Sequence, residues 1–423
     1  MQRKTLRISK IQTEEISDSK AGEIMSLNSI PSAERIHIGF FGARNAGKSS
    51  LVNAITGQRL SVVSDVKGTT TDPVKKSMEL LPIGPVVIID TPGFDDEGTL
   101  GVLRIEKTKE TLRKTDIAVL VVDVQAGLSE ADKELISLFN EFKISYVIAY
   151  NKCDTAEASV LLKENEILVS ATENINIDKL KNIISEYVKD AKKCKPLLDD
   201  VLNDGDLVVL VTPIDEAAPK GRIILPQQLV LRNILDNNAT AIVCKENELE
   251  STLKMLNREP SLVITDSQVF PFVSKLLPES TKLTSFSIVM ARYKGDLKEL
   301  VKGACALENL CDGDKVLISE GCTHHRQCND IGTVKIPAWI RSYSHKDIHF
   351  DFTSGGDFPG NPEEYKLIVH CGGCMLGEKE MSNRINLCAK SGAPIVNYGV
   401  AIAMMNGILK RSIEIFSEVS DLL

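Results

Sequence analysis

The chain has 423 residues, 43% hydrophobic and 26% charged, with a formal net charge of −8. This is an ordinary globular composition, with room for two or three domains that each bury a core. Net acidity gives no electrostatic reason for a nucleic-acid backbone as main partner, since such binding leans on clustered Lys and Arg. The polar start MQRKTLRISKIQTEE has no apolar leader, and no later stretch approaches the ~20 apolar residues of a membrane span. The expectation is a cytoplasmic chain with no membrane partner.

In chain order, residues 1–34 are polar without sustained periodicity and are expected to form a flexible tail. From Arg35 the pattern becomes strand, turn, helix: IHIGFFG, then GARNAGKSS, then SLVNAITG. Further apolar runs follow at 86–90, 116–123, 145–151 and 166–171 with helical segments between them, which implies a parallel sheet covered on both faces over 35–190. A charged linker (191–206) leads into DLVVLVTPID, PQQLVLRNILDNN, TAIVCK and ENELESTLKML, a small α/β unit at 200–260. Such a unit is too short to stand alone without packing on something. A second parallel α/β domain is expected over 261–423, with strands at SLVITD, SFSIVMARY, KVLISEG, IHFDF, YKLIVH and PIVNYG.

GARNAGKS (42–49) fits G-x-x-x-x-G-K-[ST] between a predicted strand and helix. Backbone N–H groups from Gly42, Asn45, Ala46, Gly47 and Ser50 would cradle phosphates, Lys48 would reach the β and γ groups, and Ser49 would hold Mg²⁺. Each later tetrapeptide alone is more often a plain turn after a strand. Their order makes coincidence negligible. GTTTD supplies Thr70 to complete the Mg²⁺ shell; DTPG supplies Asp90 for the metal and the Gly93 N–H for the γ-phosphate. NKCD (Asn151, Lys152, Asp154) places a carboxylate that can accept both N1–H and the exocyclic amine of guanine, which adenine lacks. SAT (Ser170, Ala171) would meet the guanine carbonyl. The expected ligands are therefore GTP and GDP.

This domain is similar to the tRNA-modification and ribosome-assembly GTPases. In that group the asparagine matching Asn45 helps bind K⁺ in place of an arginine finger. Phe94 and Asp95 follow Gly93 where a water-orienting glutamine is usual, leaving Asp95, Asp96 and Glu97 as alternatives and implying slow hydrolysis.

Cysteine usage is uneven. Seven of ten cysteines lie between Cys305 and Cys388, and five of six histidines between His324 and His370. Such a cluster points to a metal or redox site. HCGGC (370–374) follows the strand YKLIVH, and GCTHH (321–325) follows KVLISEG. The carboxyl ends of parallel strands line one crevice, so Cys322, His324, His370, Cys371 and Cys374 can converge although 45 residues separate the two histidines. A dithiol would not need the first motif. A Cys₃His zinc site and a [4Fe-4S] cluster on three thiolates remain level on residue types alone. Cys305, Cys311, Cys328 and Cys388 read as core or loop thiols, each of them an alternative fourth ligand.

The pairing of CTH with HCGGC behind a GTPase motif set resembles the [FeFe]-hydrogenase maturation GTPases. The resemblance covers nearly the whole chain beyond its N-terminal tail. It implies an N-terminal GTPase domain, a dimerisation domain that makes a homodimer, and a [4Fe-4S] cluster on Cys322, Cys371 and Cys374, with His324 or His370 as fourth ligand. It further implies a transient di-iron subcluster as cargo, with apo-[FeFe]-hydrogenase and two radical-SAM maturases as partners. The alternative from another class is an RNA-modification or ribosome-assembly GTPase with a structural zinc site.

Overall fold

The computed structural model describes residues 34–57, 74–91, 108–155, 162–191, 195–214, 223–321, 330–419 and 422. The tail expected over 1–34 lies, except for Glu34, outside them.

The first sheet has the order β2-β3-β1-β4-β5-β6. Its strands are β1 (Ile36–Phe41), β2 (Val74–Leu80), β3 (Gly84–Asp90), β4 (Ile117–Asp123), β5 (Ser145–Asn151) and β6 (Glu166–Leu168). The β4 sequence IAVLVVD is buried at all but its last residue, as a strand covered on both faces must be. One apolar cluster under α1 (Lys48–Thr56) and α4 (Ile177–Ala191) fills one face, and a second under α2 (108–113) and α3 (Glu130–Glu141) fills the other. The expected all-parallel sheet is mixed: β2, VKKSMEL, runs antiparallel to β3 at the edge. Two lysines among seven residues hid it as a strand, and edges favour such charge.

The second sheet, β10-β9-β7-β8, is built from β7 (Leu207–Val211), β8 (Thr240–Cys244), β9 (Leu262–Thr265) and β10 (Leu283–Ser285), all parallel. Around it run α5 (Leu225–Asp236), α6 (Leu249–Met255) and α7 (Phe270–Leu276). The strands of this sheet lie on both sides of the 260/261 boundary expected from the sequence. LVVLV of β7 is buried at every position and needs a neighbour on each edge, and β9 supplies the second. The run SFSIVMARY, expected as a strand, is helix α8 (Phe286–Lys294) after the short β10. The Ser285 hydroxyl accepts from the Ile288 N–H and so starts the helix; an apolar run of this length has no period of its own.

The third sheet, β12-β11-β13-β14, is parallel throughout: β11 (Lys315–Glu320), β12 (His349–Ser354), β13 (Leu367–His370) and β14 (Ile395–Asn397). Helices α9 (Leu297–Ala304), α10 (Ile336–Ser344), α11 (Glu378–Ser391), α12 (Tyr398–Met405) and α13 (Leu409–Ile413) surround it. One continuous apolar cluster joins the second and third sheets, so the middle unit packs its core against the C-terminal one. Strand order decides where a site can form. From β11 the chain moves to β12 on one side and then to β13 on the other, which makes the β11/β13 carboxyl ends a topological switch point.

Candidate functional site

At the end of β1 the phosphate loop needs backbone shapes that side chains resist. Gly42 has φ +135 and Gly47 φ +91; a Cβ on Gly42 would sit 2.2 Å from the Val121 carbonyl oxygen, and on Gly47 2.2 Å from Asn151 Nδ2. Asn45 is exposed at φ 62, a left-handed position that Asn tolerates. Lys48, only 8% exposed, donates to the carbonyls of Gly42 (2.9 Å) and Ala43 (2.7 Å), so its ammonium lies across the loop. Ser49 Oγ donates to Asp90 Oδ2 at 2.8 Å, while Asp90 Oδ1 is buried and unpartnered. A hydroxyl and a carboxylate oxygen with spare acceptor capacity are what Mg²⁺ requires, so these residues fit the ion.

The base-recognition elements are knitted to the loop by one side chain. Asn151 Nδ2 donates to the Ala46 carbonyl (3.0 Å), and its Oδ1 accepts from the Ala171 N–H (3.1 Å). Lys152, at φ 64, donates to Asp123 Oδ2 at 2.7 Å, and that hydrogen bond holds the Asp123 carboxyl below its ordinary range. Ser170 is buried, Ala171 and Ser50 are half-buried, and Asp154 is exposed to meet a base. Thr70 and Gly93 lie outside the described residues, as do Phe94, Asp95, Asp96 and Glu97.

The cysteine loop starts where β13 ends. Register pairs Ser319 with His370, which brings Gly321, the residue before Cys322, against Cys371. The Gly321 N–H donates to Cys371 Sγ at 3.1 Å and the Gly373 N–H to the same sulfur at 3.4 Å. Two N–H donors on one sulfur favour a thiolate and temper its charge, so Cys371 fits a cluster or metal ligand. Burial pushes the Cys374 thiol up, partly offset by the charge of Lys294. Cys322, His324 and Cys328 lie outside the described residues, and among the described residues no three metal-type side chains converge.

His370 closes β13 directly before Cys371. It is fully buried, its Nδ1–H donates to the Cys371 carbonyl at 2.8 Å, and its Nε2 accepts from Arg384 at 3.1 Å. Burial, with the Arg384 charge second, lowers its pKa to about 3. Both ring nitrogens of this imidazole are engaged in this arrangement, so it supports the Cys371 backbone.

Arg384 escaped sequence reasoning. It also donates to Glu380 (2.7 Å) and to the Gly355 carbonyl (2.8 Å), and it lies 5.0 Å over the Phe358 ring. The one available signal was the E-x-x-x-R spacing in α11, which normally marks an exposed pair. The same helix reaches the GTPase domain: Asn383 donates to the Arg113 carbonyl and Lys379 to the Lys143 carbonyl, each at 2.9 Å. A cleft of about 310 Å³ lies between α2, α3 and α11.

Comparison with known proteins matches residues 37–152 to the 50S ribosome-binding GTPase model, 197–295 to the hydrogen maturase F dimerization domain, and 298–415 to the hydrogen maturase F tetramerization domain. GTPase Der of Wolinella succinogenes is 36% identical over 148 residues, 34% of this chain and 31% of that protein. The tRNA modification GTPase MnmE of Desulforamulus reducens is 33% identical over 158 residues, 36% and 34% of the two chains. The chain thus spans about a third of the length of the curated relatives it matches. Among solved structures, Aquifex aeolicus Era bound to GDP·AlF4− covers 52% of this chain and 98% of its own at 17% identity, TM-score 0.34. A probable GTP-binding protein engB covers 36% and 99% at 26% identity, TM-score 0.31. The two domain models of a single family meet at 295–298, between the end of α8 and α9, where the second sheet's unit gives way to the third's. Behind a GTPase domain, and together matching just over half of its residues, they show that the chain belongs to the hydrogen maturase F family.

Proposed function

We propose that the chain binds and slowly hydrolyses GTP, holds a [4Fe-4S] cluster on Cys322, Cys371 and Cys374, and assembles or delivers a di-iron subcluster to apo-[FeFe]-hydrogenase. The supporting observation is the Cys371 sulfur at the β11/β13 switch point, taking N–H bonds from Gly321 and Gly373. A cluster held by three thiolates supplies one iron with a replaceable ligand, to which a di-iron cargo can attach. The fourth position is assigned to His324, to His370 released from Arg384, or to an exchangeable group.

GTP recognition rests on Lys48, Ser49, Asp90, Asn151 and Asp154, with Thr70 and Gly93 as sensors of the γ-phosphate. K⁺ at Asn45 would offset charge during hydrolysis. The two radical-SAM maturases are the expected source of the cargo, and the homodimer is expected to form through the 197–295 domain. The site residues and the domain division 35–190, 197–295 and 298–423 are part of this proposal, in cytoplasmic surroundings. A zinc-bearing RNA-modification factor is disfavoured, because two hydrogen maturase F domain models follow the GTPase match.

The test is transfer. Chain loaded with the di-iron cargo should activate apo-hydrogenase, and Cys371→Ser should lower hydrogen production to background. Activation by Cys371→Ser at the parent level would rule the scaffold out.

A further inference from the structure

Parts of all three units meet at one ammonium group. Lys294, the last residue of α8, has a side chain 2% exposed. Its Nζ donates to the carbonyls of Leu376 (3.0 Å) and Cys374 (3.3 Å), and Glu34 Oε1 lies 2.9 Å away as an ion pair, off the line of a hydrogen bond. Glu34 stands two residues before β1, the strand that carries the phosphate loop. An ammonium out of water is costly unless charge and donors are matched, and here two carbonyls accept from it while a carboxylate matches its charge.

The loop it grips also carries a bond from the Leu376 N–H to the Gly373 carbonyl, at 3.0 Å. Residues 371–377 between β13 and α11 have no regular secondary structure, and Gly373 is at φ +63. Cys371 is anchored by its own sulfur and by β11. Cys374 is anchored on the opposite side by Lys294 through the main chain.

We propose that Lys294 is a positioning residue for the cysteine site: it sets the Cys374 main chain so that this thiolate meets the group held with Cys371, and Glu34 ties that placement to the phosphate-loop strand. This rests on the cluster reading above. A positive charge beside a cluster favours its reduced, more negative state. The carboxylate of Glu34 opposes it.

Two variants of the full chain, anaerobically reconstituted, should therefore shift the reduction potential in opposite directions. Lys294→Gln should lower it and alter the EPR line shape of the reduced protein, with the line shape recovered in Lys294→Arg. Glu34→Gln should raise it. A loss of folding alone would not give shifts of opposite sign. Potentials and line shapes equal to the parent in both variants would overturn the proposal. If Lys294→Gln loads no iron, Glu34→Gln decides.

If the parent itself binds no iron, the cluster reading fails, and the positioning role is then read in apoprotein by hydrogen exchange. Lys294→Gln should speed exchange of the 374–378 amides at least several-fold while β13 is unchanged, and unchanged exchange would overturn it.

Discussion

At the scale of single residues, the nucleotide site stands on charge-assisted hydrogen bonds that can be removed one at a time. Lys48 lies across the phosphate loop on the carbonyls of Gly42 and Ala43, placed to transfer its donors to a phosphate. Lys48→Ala should lose about 1.5–3 kcal/mol of nucleotide binding, or roughly 10- to 150-fold in Kd by calorimetry. An unchanged Kd would remove Lys48 from the site. Asp154→Asn should weaken GTP by a similar factor yet improve xanthosine triphosphate, whose C2 oxygen accepts the amide donor that replaces a carboxylate oxygen. A competition assay reads this directly. Local order made these residues legible: each motif ends a strand and needs only its neighbours in sequence. The surroundings of His370 were not legible for the opposite reason. Its partner Arg384 lies 14 residues on, and no spacing rule distinguishes a histidine facing a metal from one buried against a guanidinium.

Elements carry the next level of constraint. Helix α9 lies against β14 so closely that a Cβ on Gly303 would stand 1.9 Å from the Ile395 carbonyl oxygen. Gly303→Ala should force the helix from the sheet at a cost of about 1–3 kcal/mol, measured as a lowered denaturant midpoint with an unchanged slope. Helix α11 is the bridge between the halves of the molecule. Its Asn383 and Lys379 hold GTPase-domain carbonyls while its Arg384 holds His370 beside Cys371. The strand at SFSIVMARY was misread because apolar residues occupy both faces of α8, which is buried at seven of its nine positions. Burial on all sides erases the period that would reveal a helix.

For the whole molecule, the decisive joints lie between distant segments. Arg292 in α8 bonds both Asp200, before the second sheet, and Glu418 near the C-terminus, and stacks 4.8 Å over the Phe416 ring. The Arg292 hydrogen bond holds the Asp200 carboxyl below its ordinary range. A depressed carboxylate pKa contributes stability that is complete above the unfolded value, about 3.9, and is lost as pH falls through the lower folded value. Asp200→Asn should remove that part of the acid sensitivity, seen as a flatter plot of stability against pH below about 4. Such joints explain why the order of three units was legible in the sequence while the extent of the middle sheet was not. The sheet that begins at Leu207 is completed only by strands at 262–265 and 283–285, and its core continues into the next unit.

The central claim is that the β11/β13 switch point presents thiolates to iron. Metal analysis and EPR of anaerobically purified chain test it most directly. The protein should be brown, with four irons per chain, no zinc, and a reduced-state cluster signal that disappears when Cys322, Cys371 or Cys374 is replaced by Ser. A colourless protein with one zinc per chain, or a cluster indifferent to Cys371→Ser, would contradict it.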